Sequence, residues 1–203
     1  MAETAVRRNR PYAPRLTPEQ RREQLLDVVL DVIDTDGVAA VSMDAVARRA
    51  GVTRPVVYNH FTDSNDMLRA SLNREEQRAL AQLVGAIPGP GDDDPGRAFH
   101  HLFDTYLRAV TEAPQRWRSM FLIADSFTPT LHKRVARIRT RIAREFEAAL
   151  RHSCRHNDPE MLANHLLAAL WESGRLLLVS PTEFTHDRLL SSLDSLFAAI
   201  AKG

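Results

Sequence analysis

Apolar residues recur at the spacing of an α-helix along almost the whole chain, and the alternation typical of strands is nearly absent. The first predicted helix follows Thr17, Pro18 and Gln20, which form a capping-box start, and it ends at Gly37. The pattern therefore predicts an amphipathic helix that packs against other helices. Its apolar face contains Leu25, Leu26, Val29, Val32 and Ile33.

Two short helices and one long helix are predicted next. The short helices span residues 42–50 and 54–60, the second is capped by Thr53, and Gly51 supplies the positive φ of the turn between them. The long helix starts near residue 64 and extends to about residue 86. Two short helices joined by a sharp turn are typical of a helix-turn-helix, whose second helix enters the major groove of DNA.

Five further helices are predicted after an exposed loop, with starts near Pro95, Pro114, Pro129, Pro159 and Pro181. The whole pattern predicts an all-α chain of about nine helices. We expect a disordered basic arm at residues 1–16 and a helix-turn-helix DNA-binding domain at residues 17–70. A helical ligand-binding and dimerisation domain is expected at residues 71–203.

Composition narrows the class of protein. A transmembrane helix needs about 18 consecutive apolar residues, and no apolar run in the chain approaches this length. The polar N-terminal segment lacks the apolar core of a signal peptide. Cys154 is the single cysteine, so a cytoplasmic protein without membrane contact is expected.

The formal net charge is only +1, but the N-terminus is basic. Such an arm either reaches along DNA or is a solvated tail, and both interpretations stay open. The arginines of this segment are Arg7, Arg8, Arg10, Arg15, Arg21 and Arg22, against Glu3 and Glu19.

Residues 17–72 resemble the DNA-binding domain of the TetR family of regulators. The resemblance rests on Gly37 at the end of the first helix, on the AxxAGVT pattern of residues 47–53, and on the YNHF sequence of residues 58–61. It implies a homodimer that binds palindromic double-stranded operator DNA and is released by a small-molecule effector. The other three quarters of the chain resemble the family only in the number and order of helices.

The resemblance assigns several contacts to DNA phosphates. Thr53, Tyr58 and His60 match phosphate-contacting positions, and their hydroxyl and imidazole groups can donate to phosphate oxygens without reading sequence. Ser42 is expected to cap the second helix and to lie near a phosphate. Ser64 stands where relatives usually have a lysine, so the resemblance implies a weaker phosphate contact there.

Other residues match the surface that faces base edges. Arg54 could donate two hydrogen bonds to guanine, Asn59 could pair with adenine, and Val56 could pack on a thymine methyl group beside Pro55. Asp44 could accept from cytosine, or it could simply stabilise the N-terminus of its helix. Two neighbouring residues are expected to lie in the core: Val57 and Phe61.

Aromatic and methionine side chains are frequent on the helices predicted after residue 95. In the arrangement that the resemblance implies, these helices converge, and such a lining suits an apolar or aromatic ligand. The same spacing is also typical of a plain core, which is the commoner outcome for any single residue. The expected lining residues are Phe99, Phe103, Tyr106, Trp117, Met120, Phe121 and Trp171.

Polar residues interrupt the apolar helix predicted after Pro159. Glu172 and Arg175 are three residues apart, so they can form an ion pair at a pocket wall or an interface, and Gly174 lets another element approach closely. The resemblance assigns residues 160–200 to dimerisation. The residues expected to contribute are Leu166, Leu170, Leu177, Leu193, Phe197 and Ile200.

Catalytic and metal-binding patterns are weak. His152, Cys154 and His156 lie close in sequence, but their spacing suits no rigid helical ligand face. The chain has no glycine-rich phosphate loop and no nucleophile elbow, so no enzyme activity, cofactor or metal is expected. Two alternatives stay open: a DNA-binding activator or architectural protein without a small-molecule ligand, and an α-helical enzyme or carrier whose motif is accidental.

Overall fold

The computed structural model describes residues 16–90, 92–126, 129–153 and 158–202. Within these ranges there are ten α-helices, one 3₁₀ turn at Val38–Ala40 and no strand, which confirms the all-α prediction. The helices are α1 (Pro18–Asp36), α2 (Met43–Ala50), α3 (Arg54–Tyr58), α4 (Ser64–Leu83), α5 (Pro95–Glu112), α6 (Pro114–Ala124), α7 (Pro129–Ser153), α8 (Pro159–Val179), α9 (His186–Ser191) and α10 (Asp194–Lys202).

Helix α1 begins and ends as its sequence predicts. The Gln20 backbone N–H donates to the Thr17 hydroxyl at 3.2 Å, and the Thr17 N–H donates to the Gln20 side chain at 3.0 Å. This reciprocal pair satisfies two backbone donors that a helix start otherwise leaves without partners. Gly37 ends the helix with φ 84°. All five apolar residues predicted for the inner face of α1 are buried.

The turn between α2 and α3 also matches its prediction. Gly51 adopts the left-handed conformation at φ 65°, and the Val52 N–H donates to the Ala47 carbonyl at 3.0 Å. The Ser42 hydroxyl caps α2 by accepting from the Ala45 N–H at 3.1 Å. Glycine is favoured at Gly51 because any side chain is strained at this φ.

The capping role predicted for the Thr53 side chain is wrong. Thr53 occupies the N-cap position of α3, but its side chain makes no capping hydrogen bond. Pro55, the second helical residue, has no N–H to donate, and the Val56 N–H donates to the Thr53 main-chain carbonyl at 3.0 Å. The Thr53 hydroxyl is therefore not used by the helix that it precedes.

Two helices end earlier than predicted, and a third is divided. Helix α3 stops at Tyr58 rather than His60, and α4 stops at Leu83 rather than near residue 86. The single helix predicted after Pro181 is divided into α9 and α10. At this break the Ser192 hydroxyl donates to the Leu189 carbonyl at 2.7 Å, and such local side-chain bonds compete with helix continuation.

Two hydrophobic clusters form the interior. The first joins α1, α2, α3 and the start of α4, and it also includes Ile123 of α6 and Leu131 of α7. The second joins the end of α4 with α5 to α10. Helices α6 and α7 therefore contribute to both clusters. In the described ranges, no helix combines the length and the apolar character needed to cross a membrane.

Candidate functional site

Helix α3 presents a polar face outward and holds two apolar residues inward. Val57 is fully buried and Phe61 is 2% exposed, which confirms their predicted core positions. Tyr58, in contrast to these two residues, is 50% exposed. The same segment holds six other residues that are predicted to contact DNA. Two of them, Val56 and His60, are half-buried, and the exposed ones are Thr53, Arg54, Pro55 and Asn59.

Arg54 and Asp44 contact each other across the two short helices. Arg54 Nε lies 2.8 Å from Asp44 Oδ1, and the Arg54 guanidinium lies 6.0 Å from the centre of the Tyr58 ring. Hydrogen bonding to Tyr58, followed by the charge of Asp44, raises the pKa of Arg54, which stays a cation at ordinary pH. Both ion-pair partners are more than half exposed, so solvent screens the pair and an incoming base or phosphate can replace it.

Arg22 fixes the end of α3, a role that the sequence did not reveal. Its Nη1 donates to the His60 carbonyl at 2.7 Å, and its guanidinium lies 4.5 Å from the centre of the Phe61 ring. From the sequence, Arg22 was grouped only with the basic N-terminal segment. Its position on α1, a helix with a predictable inner face, is the signal that could have pointed to a structural role.

Ser42 and Ser64 lie at helix starts on either side of α3. Ser42 is exposed and caps α2, whereas Ser64 is half-buried and is the first residue of α4. The cap of α4 is Asp63, whose carboxylate accepts from the Asp66 N–H at 2.7 Å. Residues 1–15 of the predicted basic arm lie outside the described residues.

The aromatic residues predicted to line a ligand pocket separate into two groups. Phe99 packs on Phe146 with ring centres 5.1 Å apart, and Phe103 packs on Phe197 at 5.2 Å. A second series of rings runs from Tyr106 through Trp117 and Phe121 to Trp171, with centre distances of 5.0, 6.4 and 4.8 Å. Met120 is half-buried and packs against the second hydrophobic cluster, which contains rings of both groups.

Tyr106, at one end of that second series, carries a hydroxyl deep in the interior. Its side chain is 3% exposed, and among the described residues its hydroxyl has no hydrogen-bond partner. Burial raises the pKa of Tyr106 far above its ordinary value. A Cβ atom added to Gly174 would lie 2.1 Å from this hydroxyl, so the close approach predicted at Gly174 is made by a tyrosine of α5.

A groove of about 270 Å³ lies beside Phe121, between the ends of α6 and α8. Arg175 lines it, and among its contacts are ion pairs with Asp125 and, at 3.7 Å, with Glu172. Glu172 itself is exposed and does not line this groove. The residues that line the groove are Arg118, Phe121, Leu122, Asp125, Arg175, Leu178 and Val179.

The residues predicted to form a dimer interface mostly face inward. Leu166 and Ile200 are fully buried within one chain, and Leu193 is half-buried. A side chain buried within its own chain has no surface to offer a partner, so the assignments of the buried residues are wrong, whereas that of Leu193 stays a prediction. The other buried residues of this set are Leu170, Leu177 and Phe197. The helical periodicity therefore identified the apolar face correctly but not the surface that covers it.

A buried ion cluster, which was not predicted from the sequence, joins α1, α4 and α6. The Glu75 side chain is 1% exposed and lies 2.7 Å from Arg74 Nε, 2.8 Å from Arg116 Nε and 3.2 Å from Arg78 Nη1. Arg74 also reaches Glu23 of α1 at 3.1 Å. A run of charges on an amphipathic helix normally indicates a solvated face, so only the tertiary structure reveals this cluster.

Other titratable groups do not assemble into a metal site. Within the described residues, no group of three histidine, cysteine, aspartate or glutamate side chains converges as ligands would. Cys154, His156 and the side chain of His152 lie outside the described residues.

The helix-turn-helix region matches a known family. A family model for bacterial regulatory proteins of the tetR family matches residues 25–70. The regulator BetI from Ectopseudomonas mendocina (strain ymp) is 36% identical over 92 residues, which cover 45% of this chain and 43% of BetI. The chain therefore matches less than half the length of that relative.

Solved structures extend the likeness to the whole fold. A TetR-like transcriptional regulator from Rhodococcus sp. RHA1 superposes with a TM-score of 0.77 at 24% identity, over 93% of this chain and 100% of that one. SmeT, in a complex with triclosan, superposes with a TM-score of 0.70 at 22% identity, over 88% of this chain and 90% of SmeT. At these identities the likeness demonstrates a shared fold.

Proposed function

Because residues 25–70 match the family model for bacterial regulatory proteins of the tetR family, we propose that this chain belongs to that family and is a DNA-binding transcriptional regulator that represses its target genes. Residues 17–70 bind DNA, and residues 71–203 bind an effector and form a homodimer in the cytoplasm. The observation that carries this proposal is the geometry of α3. Val57 and Phe61 anchor a short helix whose polar side chains are exposed.

The outward face of α3 supplies two kinds of DNA contact. Arg54 and Asn59 read base edges, because guanidinium and amide groups can form paired hydrogen bonds with guanine and adenine. Tyr58 and the Thr53 hydroxyl contact phosphates, which fix the register of the helix without reading sequence. The absence of a capping bond from Thr53 supports this role, since its hydroxyl remains available to a phosphate.

Two copies of the helix are needed for a palindromic operator. Recognition helices of a symmetric dimer enter successive major grooves about 34–36 Å apart. A dimer with two-fold symmetry presents two identical α3 helices and so requires a matching half-site for each. The faces of α8 that are not buried within the chain carry side chains available for this association, such as Met161, which is 53% exposed.

A small apolar or aromatic effector binds beside the second aromatic series, from Tyr106 to Trp171. The triclosan complex of SmeT supports this idea, because it involves an aromatic ligand and a protein of the same fold. Binding favours a state in which the two α3 helices no longer fit successive grooves. Helix α4 transmits the change, since it starts in the first hydrophobic cluster and ends in the second.

Sequence selection from random DNA, followed by fluorescence polarisation, tests the proposal. Arg54→Ala should weaken binding to the selected sequence by about tenfold or more, while it changes binding to a scrambled duplex far less. Tyr58→Phe should weaken both duplexes by similar factors, because a phosphate contact carries no sequence information.

Arg97→Ala is the matched control, because Arg97 is an exposed arginine on α5. This variant should bind both duplexes as the unaltered protein does. The proposal fails if no sequence is enriched, or if Arg54→Ala and Arg97→Ala affect binding equally.

A further inference from the structure

We propose that the groove between α6 and α8 binds a small apolar carboxylate, which competes with Asp34 for Arg118 and so loosens the C-terminal end of α1 from α6. This inference rests on the proposed function, because it assigns a chemical class to the effector and a contact through which the effector acts. It concerns the groove of about 270 Å³ beside Phe121.

The groove combines an apolar wall with a cationic edge. Phe121, Leu122, Leu178 and Val179 supply the apolar surface. Val179 is 80% exposed and Leu122 is 37% exposed, and large apolar side chains exposed together mark a binding surface more often than side chains exposed singly. The volume lies slightly below the about 300–1,000 Å³ of common ligand pockets, so the occupant is small.

The cation of Arg118 favours a carboxylate as the polar end of this ligand. A guanidinium offers a planar set of donors that matches carboxylate geometry. Arg175 also lines the groove, but its charge is already shared by Asp125 and Glu172. Arg118 is paired with one carboxylate, Asp34 of α1, at 2.8 Å and 3.1 Å to its two oxygens.

The Arg118–Asp34 pair joins the groove to the N-terminal helices. Arg118 is 44% exposed, so solvent and ligands can reach its guanidinium, whereas Asp34 is 17% exposed. A carboxylate in the groove can therefore approach Arg118 from the solvent side. As it does so, it weakens the charge-assisted hydrogen bonds that hold α1 to α6.

The end of α1 depends on such partners. Its last turns carry Asp31, Asp34 and Asp36 and no basic residue, although the C-terminal end of a helix disfavours negative charge. Arg49 of α2 pairs with Asp31 and, at 2.7 Å, with Asp36. The same helix end is thus held by α6 through Arg118 and by α2 through Arg49, so loosening this end from α6 shifts α2 and the adjoining α3.

Isothermal titration of the full chain with 4-tert-butylbenzoate and its neutral isostere, 4-tert-butylbenzamide, tests the ligand class. The benzoate should bind at least tenfold more tightly than the benzamide, because only the acid pairs with Arg118. Asp34→Asn should increase benzoate affinity by about threefold, because it removes the competing carboxylate. A role of Asp34 in folding alone would not produce tighter binding.

A matched pair of surface variants locates the binding. Val179→Asp should weaken benzoate binding at least threefold by charge repulsion at the groove. Val84→Asp makes the same change at a valine that is 74% exposed and does not line the groove, so it should leave the affinity unchanged.

Hydrogen exchange tests whether benzoate loosens the end of α1 from α6. Benzoate should accelerate amide exchange at residues 33–37 in the unaltered chain, whereas in Asp34→Asn these amides should exchange faster already without benzoate. Any one of three results would overturn this inference: benzoate does not bind, the acid and the amide bind equally, or Val179→Asp does not change the affinity. None of these results would alter the DNA-binding outcomes for Arg54→Ala, so failure here is distinguishable from failure of the proposed function.

Discussion

At the scale of single residues, Tyr106 and Gly174 form a contact that neither residue type alone would predict. The Tyr106 hydroxyl is enclosed against the backbone of α8, and no described residue accepts or donates a hydrogen bond to it. Buried tyrosine hydroxyls usually find a partner, because an unsatisfied polar group in the interior costs free energy. The aromatic ring contributes to stability here, while the hydroxyl does not.

Tyr106→Phe should therefore leave the free energy of unfolding unchanged or raise it by up to about 1 kcal/mol. Gly174→Ala should lower it by about 1–3 kcal/mol, because the new methyl group would overlap the tyrosine ring. Urea denaturation of both variants checks these values. A loss of about 2 kcal/mol in Tyr106→Phe would indicate that the hydroxyl has a partner in solution.

At the scale of elements, the turn between α2 and α3 depends on the backbone conformation of one residue. Gly51 has a positive φ of 65°, and a Cβ atom built there would meet nothing within 4 Å. The restriction is therefore conformational rather than steric contact with neighbours. The Arg22 bond to the His60 carbonyl then fixes the other end of α3, so both ends of the helix are set by the N-terminal fold.

Gly51→Ala should lower the free energy of unfolding by about 1–2 kcal/mol, because a left-handed backbone is strained for alanine. Gly85→Ala is the control, since Gly85 has equally open surroundings without a positive φ. Gly85→Ala should be neutral or slightly stabilising, as it restricts the unfolded chain. Thermal or urea unfolding distinguishes the two, and equal effects would contradict the conformational explanation.

At the scale of the whole molecule, the ion cluster around Glu75 holds the N-terminal helices against α6. Arg116 reaches Glu75 from α6, while Arg74 links Glu75 with Glu23 of α1. Charges this deeply buried require partners, because an isolated ion in the interior is strongly destabilising. The cluster therefore makes the contact between helices specific, because a shift of α6 would remove one of the three arginines that surround the buried Glu75 carboxylate.

Glu75→Gln should lower the free energy of unfolding by about 3–5 kcal/mol, because it removes the buried anion shared by the buried Arg74 guanidinium and the partly buried Arg116 guanidinium. The neighbouring Glu76→Gln is the matched control. Glu76 pairs with Arg134 at 2.8 Å and Arg141 at 3.1 Å, and both arginines are far more exposed than Arg74. Glu76→Gln should lower the free energy of unfolding by about 1 kcal/mol or less. If urea denaturation shows equal losses for the two variants, the burial of Glu75 is not decisive.

Signals that act within a few residues of chain were enough to predict several helix starts and turns. The capping box at Thr17, the glycines at Gly37 and Gly51, and the helical spacing of apolar residues act within a few residues of chain, so they were identified correctly. The same locality identified Val57 and Phe61 as core. The exposed face of α3 follows from these positions, because the residues between buried anchors on a short helix must point elsewhere.

Which helix surfaces meet could not be predicted from the pattern along the chain. Leu166 and Ile200 face the interior of their own chain rather than a partner, and the predicted lining aromatics divide into two groups. The partners of Glu75 and the Arg118–Asp34 pair are distant in sequence. Helical periodicity specifies that a face is apolar or charged but not what covers it, because that choice depends on how the helices pack together.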